Sequence, residues 1–284
     1  VSEVHGKTTV SLCDLFLDEN QKGKTIALVK GVAAAFKKRG YNVGGFDAYT
    51  TSNVLKGSGL SSSAAFEDMV GNILSHMYND GKVDNVEIAK LAQYSENVFF
   101  GKPCGLMDQV ACAVGGIVAI DFKDPKAPVI NKVDFDISAA GYNLCIVNTG
   151  GNHADLTDDY ASVPAEMKSV AKLFGKDTLR YVNKDEFFAN IGKIRKKVGD
   201  RAVLRAIHFF DENDRVDVQR EALKKGDLET YFAGVEGSGN SSEYNLQNIY
   251  PCCSVSERSI SLALTMAKKA GAKVVRVHGG GFAG

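Results

Sequence analysis

The chain has 284 residues, of which 34 are basic and 34 are acidic, so its formal net charge is zero. This length corresponds to one large domain or two ordinary ones, and a hydrophobic share of 44% is enough to build a core. Zero net charge argues against nucleic acid as a partner, because nucleic acid is bound largely through counterion release at basic surfaces.

The first part of the chain is predicted to be mainly helical. Residues 25–39 form a predicted helix that ends before Gly40, and residues 44–53 alternate in the manner of a strand. A loop rich in glycine and serine, 56–63, opens a second predicted helix. A third predicted helix begins near Asn85, which is interpreted as its N-cap.

Residues 116–122 and 142–148 are predicted to be strands. The polar, proline-containing stretch 123–136 between them is the best candidate for a domain boundary. We therefore predict two domains, 1–136 and 137–284.

The second part of the chain carries further predicted helices at 164–174, 201–210, 216–225 and 257–269, followed by a strand at 273–277. Helices and strands mix without strict alternation, which favours the α+β class over a doubly wound sheet. The longest weakly polar run, 110–120, is well short of the ~18 apolar residues of a membrane span. We therefore expect no membrane partner.

The six cysteines show no metal-site spacing, and no secretory signal precedes the fold. Free thiols in a reducing compartment are the expected state, which favours a cytoplasmic protein. The chain begins with Val1 and ends on a glycine loop after a predicted strand, so we expect a fragment of a longer protein.

The loop Gly57 to Ala64 combines glycines, which let backbone approach a ligand, with three serine hydroxyls and a helix N-terminus. That combination suits a polyphosphate, although it is not a Walker A loop. A plain turn with a serine N-cap would have the same composition, and both interpretations are open on this motif alone.

Two carboxylates follow the loop in the sequence, Glu96 and Asp108. Glu96 could be a solvated surface charge, or it could complete a Mg²⁺ site with a serine hydroxyl, because Mg²⁺ prefers oxygen ligands. Asp108 follows a loop containing glycine and proline. It could be a catalytic side chain or an acid favoured by the helix dipole.

The final segment, 279–284, contains four glycines after an apolar stretch and predicts backbone conformations that side chains forbid. A flexible tail is the alternative.

These three features, in this order, resemble those of the galactokinases within the GHMP kinase family. The run Gly57 to Ala64 is similar to the phosphate loop of the family. The run Glu96 to Gln109, with Cys-Gly-Leu-Met-Asp-Gln at its end, is similar to a galactokinase segment, and the terminal glycines are similar to a third motif. The resemblance implies a two-domain α+β fold with mixed sheets flanked by helices, incomplete at both ends.

The resemblance also implies residue roles. Asp108 would be the catalytic residue, acting as general base or as the charge that orients the anomeric hydroxyl of galactose. Gly105, Asp108 and Tyr160 would contact the sugar. The residues expected to bind the nucleotide are Gly57, Ser58, Gly59, Leu60, Ser61, Ser62 and Ser63, and those expected to hold Mg²⁺ are Ser62, Ser63 and Glu96.

The expected reaction is phosphorylation of galactose by Mg-ATP in a monomer or weak oligomer. The first motif of the family is absent, Leu55 stands at a common proline position, and Ala283 replaces a glycine. The segment alone is therefore expected to be poorly active. A kinase for N-acetylgalactosamine or a uronic acid, and a non-catalytic sugar sensor, are the alternatives.

Overall fold

The computed structural model of the chain describes residues 6–52, 60–150, 156–252 and 254–282. Contacts divide the chain into two compact units, Val1–Ile120 with Val129–Lys132, and Asp121–Pro128 with Val133–Gly284. Helices dominate both units, and one two-stranded sheet is present among the described residues. The α+β class is confirmed. The domain limits at 136 and 137 stay a prediction.

The first unit contains α1 (Thr25–Lys38), α2 (Ser62–Tyr78), α3 (Asn85–Tyr94), a π-helical turn (Ser95–Phe100), α4 (Met107–Val114), and most of strands β1 (Ile117–Asp121) and β2 (Val129–Val133). Its core is built where α1, α2 and α3 meet, around Phe36, Leu74 and Ile88. Gly71 permits that packing, because a Cβ at this position would lie 2.7 Å from Cγ2 of Ile88.

The second unit contains α5 (Thr157–Leu173), α6 (Lys184–Ala189), α7 (Ile191–Val198), α8 (Asp200–Lys225), α9 (Leu228–Ser241), a second π-helical turn (Ser242–Leu246) and α10 (Ser259–Lys269). Its largest core cluster joins α5, α6, α7 and α8, with Val170, Phe187 and Phe210 buried at its centre. The rings of Phe187 and Phe210 lie 5.1 Å apart, so aromatic contacts add to the burial of apolar area.

Several predicted elements are wrong. Among the described residues, the stretches 44–52, 142–148 and 273–277 form no strand beyond a single bridge residue at Thr50. An alternating pattern makes a strand only where a neighbouring strand supplies hydrogen-bond partners, and among the described residues these stretches have none beyond that one bridge. Conversely, the polar stretch 123–136 contains β2.

The predicted helices at 201–210 and 216–225 are one helix, α8, because the charged residues between them continue the helical turn. Four helices were not predicted, namely α4, α6, α7 and α9. The first three are short, and α9 contains three glycines, which lower its intrinsic helix propensity. The N-cap of α3 is Asp84 rather than Asn85, since the Asp84 carboxylate accepts hydrogen bonds from two backbone N–H groups.

Across the described part of the chain, every helix is too short or too polar to cross a lipid bilayer. The five cysteines whose side chains are described are free thiols, as predicted.

Candidate active site

A serine directly before α2 lies within hydrogen-bond distance of a carboxylate on α4. Ser61 directly precedes α2 and takes a left-handed conformation (φ 54°, ψ 46°), which is uncommon for a residue other than glycine. Its hydroxyl donates a hydrogen bond of 2.5 Å to Oδ2 of Asp108, the second residue of α4. Strained backbone at such a junction is typical of functional sites. Here it brings together two residues that are 47 positions apart.

A second contact joins the first turn of α2 to the π-helical turn. The Ser63 hydroxyl donates a hydrogen bond of 3.0 Å to Oε1 of Glu96. Gln109 Nε2 donates to the other carboxylate oxygen, Oε2, at 2.9 Å, and Lys102 Nζ lies 3.2 Å from Oε1. The Glu96 side chain is only 3% exposed, so the interpretation as a solvated surface charge is wrong.

The serine and the carboxylate fit a Mg²⁺ ion. Both are oxygen donors, and two neighbouring ligands of an octahedral ion at about 2.1 Å from the metal lie about 3 Å from each other. The observed separation of 3.0 Å between Ser63 Oγ and Glu96 Oε1 matches that requirement. Ser62 is exposed on the adjacent position of α2, so Ser63 is the serine that reaches Glu96.

The loop between Glu96 and α4 is held by side-chain contacts to its backbone. The Cys104 N–H donates to Oδ1 of Asn97 at 2.6 Å, and Gln93 donates to the Cys104 carbonyl. Burial, followed by the nearby Glu96 carboxylate, raises the pKa of the Cys104 thiol to about 12. That thiol is therefore a packing group and not a nucleophile. The next residue, Gly105, is exposed.

In the second unit, Tyr160 contacts the glycine-rich third motif. Its hydroxyl donates a hydrogen bond of 2.7 Å to the carbonyl of Gly281, and its ring meets that of Phe282 edge-on at 5.3 Å. Gly281 has a φ of +77°, and a Cβ there would lie 2.1 Å from the carbonyl oxygen of Asn248. The prediction that these glycines adopt conformations unfavourable to side chains is confirmed for Gly279 and Gly281, which have positive φ angles, but not for Gly280.

Comparison with known proteins identifies the family. Residues 27–116 match the family described as the GHMP kinases N terminal domain. A galactokinase of Thermotoga petrophila is 32% identical over 256 residues, which covers 90% of this chain and 68% of that protein. A galactokinase of Streptomyces coelicolor is 31% identical over 264 residues, with 91% and 64% covered. The chain belongs to the galactokinase family of GHMP kinases.

A solved structure supports the same placement within the galactokinases. The crystal structure of Lactococcus lactis galactokinase complexed with galactose has a TM-score of 0.74 and 25% identity, and the match covers 96% of this chain and 68% of that one. This chain thus spans about two thirds of the length of its relatives, 64% of the Streptomyces coelicolor protein and 68% of the Thermotoga petrophila protein.

Part of the predicted galactokinase site lies outside the described residues, namely Gly57, Ser58 and Gly59. Of the remaining loop, Leu60 is half-buried and Ser61 begins the approach to Asp108. The side chain of Ser61, the N-cap residue of α2, does not accept a hydrogen bond from the N–H groups of that helix. The first N–H groups of a helix have no intrahelical partner, so the start of α2 offers donors to an anion.

Two buried acids near Glu96 were not predicted. Glu67 and Asp68, both on α2, are 0% and 3% exposed, and none of their four carboxylate oxygens has a hydrogen-bond partner among the described residues. Burial, and then the Glu96 carboxylate, raises the pKa of Glu67 to about 9, while Gln109 opposes the shift. Burial raises the pKa of Asp68 to about 8. Both acids are therefore protonated at neutral pH.

Proposed function

We propose that the protein containing this chain phosphorylates galactose at the anomeric hydroxyl, using Mg-ATP. One observation carries the proposal beyond family membership. Ser61, at the end of the glycine- and serine-rich loop, donates a hydrogen bond to Asp108. Ser63, in the first turn of α2, donates one to Glu96. A phosphoryl donor held at the start of α2 would then meet a metal-binding carboxylate and a separate carboxylate for the acceptor.

In this proposal Asp108 faces the anomeric hydroxyl and accepts or polarises its proton. Its hydrogen bond from Ser61 fixes the direction of one oxygen, which leaves Oδ1 for the sugar. Positioning and electrostatic stabilisation carry most of the rate in phosphoryl transfer, so either role of the carboxylate fits. We propose backbone contact to the sugar at Gly105 and side-chain contact at Tyr160.

Ser63 and Glu96 would hold the metal, and Ser62 stays a candidate beside them. When bound, Mg²⁺ neutralises charge on the phosphate oxygens. The loop Gly57 to Ser63 and the free N–H groups at the start of α2 would hold the triphosphate. We also propose a cytoplasmic location and a monomer or weak oligomer. Free thiols are typical of a reducing compartment and support the location.

The test is a phosphorylation assay of the full-length protein with a panel of galactose, N-acetylgalactosamine, galacturonic acid and glucose. We expect galactose to give the highest kcat/KM. The Asp108→Asn variant should lose turnover by a factor of about 10² to 10⁴ while it binds ATP with nearly unchanged affinity. A higher kcat/KM for another sugar would make that sugar, and not galactose, the proposed substrate. Nucleotide and sugar binding without turnover would indicate a sensor, and near-normal turnover in the variant would remove Asp108 from catalysis.

A further inference from the structure

Lys102 contacts the carboxylate that the proposed function assigns to the metal. Its ammonium lies 3.2 Å from Oε1 of Glu96, and the two side chains differ sharply in exposure, 63% for the lysine and 3% for the glutamate. The lysine sits on the loop that follows the π-helical turn, and its backbone N–H is fixed to the Glu96 carbonyl at 3.1 Å. The backbone of Lys102 is therefore held in place, while its mostly exposed side chain extends to the buried carboxylate of Glu96.

The hydrogen bonds of Glu96 determine which oxygen a metal can use. Oε2 accepts from Gln109 Nε2, and Gln109 is 1% exposed, so that bond is fixed within the packed interior. Oε1 faces Ser63, the other proposed metal ligand, at 3.0 Å. A cation held by Ser63 and Glu96 must therefore bind Oε1, which is also the oxygen that Lys102 contacts.

An ammonium group and a divalent cation on one carboxylate oxygen repel each other, and the oxygen cannot serve both at close range. The lysine is the partner that can leave, because it is long, flexible and mostly exposed, and its ammonium is well hydrated in water. We infer that Lys102 is an exchangeable counter-ion of Glu96, which competes with the divalent cation for Oε1 and swings away when the cation binds. The inference rests on the proposed metal site at Ser63 and Glu96.

The proposed competition between Lys102 and the cation predicts the direction in which a Lys102 substitution changes metal affinity. Removal of Lys102 should strengthen metal binding, because the metal then displaces water alone. An ion pair whose ammonium is mostly exposed, as here, corresponds to a change of about two- to fivefold in a dissociation constant. If the ammonium instead bound the nucleotide phosphates, its removal would weaken binding of the nucleotide.

The experiment is a Mn²⁺ titration of the full-length protein with a bound non-hydrolysable ATP analogue. The protein is in excess over the analogue, and binding is measured as the loss of the EPR signal of free Mn²⁺. Lys102→Met should lower the Mn²⁺ dissociation constant about two- to fivefold. Lys22→Met is the matched control. Lys22 packs beside Gly101 on the same loop but pairs with Glu19 at 2.7 Å, so its removal should leave the constant unchanged.

Two further measurements separate the outcomes. In a Glu96→Gln background the Lys102 substitution should have no effect, because the shared oxygen acceptor has lost its charge. Binding of a fluorescent nucleotide in EDTA should be equal in wild type and Lys102→Met. Unchanged or weaker Mn²⁺ binding in Lys102→Met, or weaker nucleotide binding in EDTA, would overturn the counter-ion role and leave the metal site standing. Absence of bound Mn²⁺ in the wild type would overturn the proposed site itself and the inference with it.

Discussion

Glutamine at position 67 should make the protein more stable, and the gain should grow with pH. Glu67 is fully buried on α2, with no hydrogen-bond partner for either carboxylate oxygen among the described residues. Its pKa is raised to about 9 by burial first and by Glu96 second, so the folded chain keeps a proton that the unfolded chain releases near 4.5. Glutamine has the shape of the protonated acid and needs no proton.

The direction and the magnitude of this stability gain follow from proton linkage. A raised pKa means that the folded state binds more protons than the unfolded state between the two values, so stability falls as pH rises through this range. At pH 7.5 the proton costs about 1.36 kcal/mol for each pH unit above 4.5, or about 4 kcal/mol as an upper limit. At pH 5.5 the same calculation leaves about 1.4 kcal/mol.

The assay is urea denaturation at pH 5.5 and 7.5, followed by circular dichroism because the chain has no tryptophan. Glu67→Gln should raise the free energy of unfolding of the first unit at both pH values, and by more at pH 7.5. Glu257→Gln, a substitution at an exposed glutamate, is the control and should change neither value. A gain for Glu67→Gln that is absent, or that is the same at the two pH values, would refute the protonated state of this acid.

Three other substitutions test the remaining parts of the structure. Glu96→Gln should raise the Mg²⁺ concentration for half-maximal activity at least about tenfold, and an unchanged Mg²⁺ titration would remove this residue from the metal site. Gly281→Ala should lower the free energy of unfolding by about 2 kcal/mol or more, because the new Cβ collides with the Asn248 carbonyl at a positive φ. Wild-type stability in thermal denaturation would contradict that contact. Tyr160→Phe removes the hydroxyl that donates to Gly281 and should raise KM for galactose several-fold without a change in KM for ATP. An unchanged KM for galactose would place this tyrosine outside the sugar site.

The sequence predicts those parts of the site that rest on local chemistry. Helices α1 and α2 follow from their apolar spacing, and the loop that opens α2 follows from its glycines and serines. The family resemblance names Glu96 and Asp108, and the structure then places each carboxylate within hydrogen-bond distance of a serine from that loop. Which serine contacts which acid is determined by the tertiary structure, because the separation of these residues along the chain does not predict the pairing.

The buried acids show what spacing cannot reveal. The apolar positions of α2 predict a face that includes Phe66 and Met69, and Glu67 and Asp68 fall between them in the sequence. Acidic side chains are almost never fully buried without a partner, so the ordinary expectation places both in solvent. The structure buries them because three helices, α1, α3 and α4, pack against α2. No local pattern distinguishes a helix covered by several neighbours from one covered on a single side.

The π-helical turn connects the packing of the core to Glu96, the proposed metal ligand. Ser95, the first residue of the turn, donates a hydrogen bond of 2.8 Å to the Leu28 carbonyl of α1. That approach is possible only because position 31 is glycine, where a Cβ would lie 2.4 Å from the Ser95 hydroxyl oxygen. A π turn inserts one residue into a helix and redirects the side chains that follow, and such turns recur at functional sites. Glu96 is the next residue and accepts a hydrogen bond from Ser63, so we infer that the contact between α1 and Ser95 helps to direct the carboxylate. The geometry of the proposed metal site thus depends on close packing at a glycine that touches no ligand.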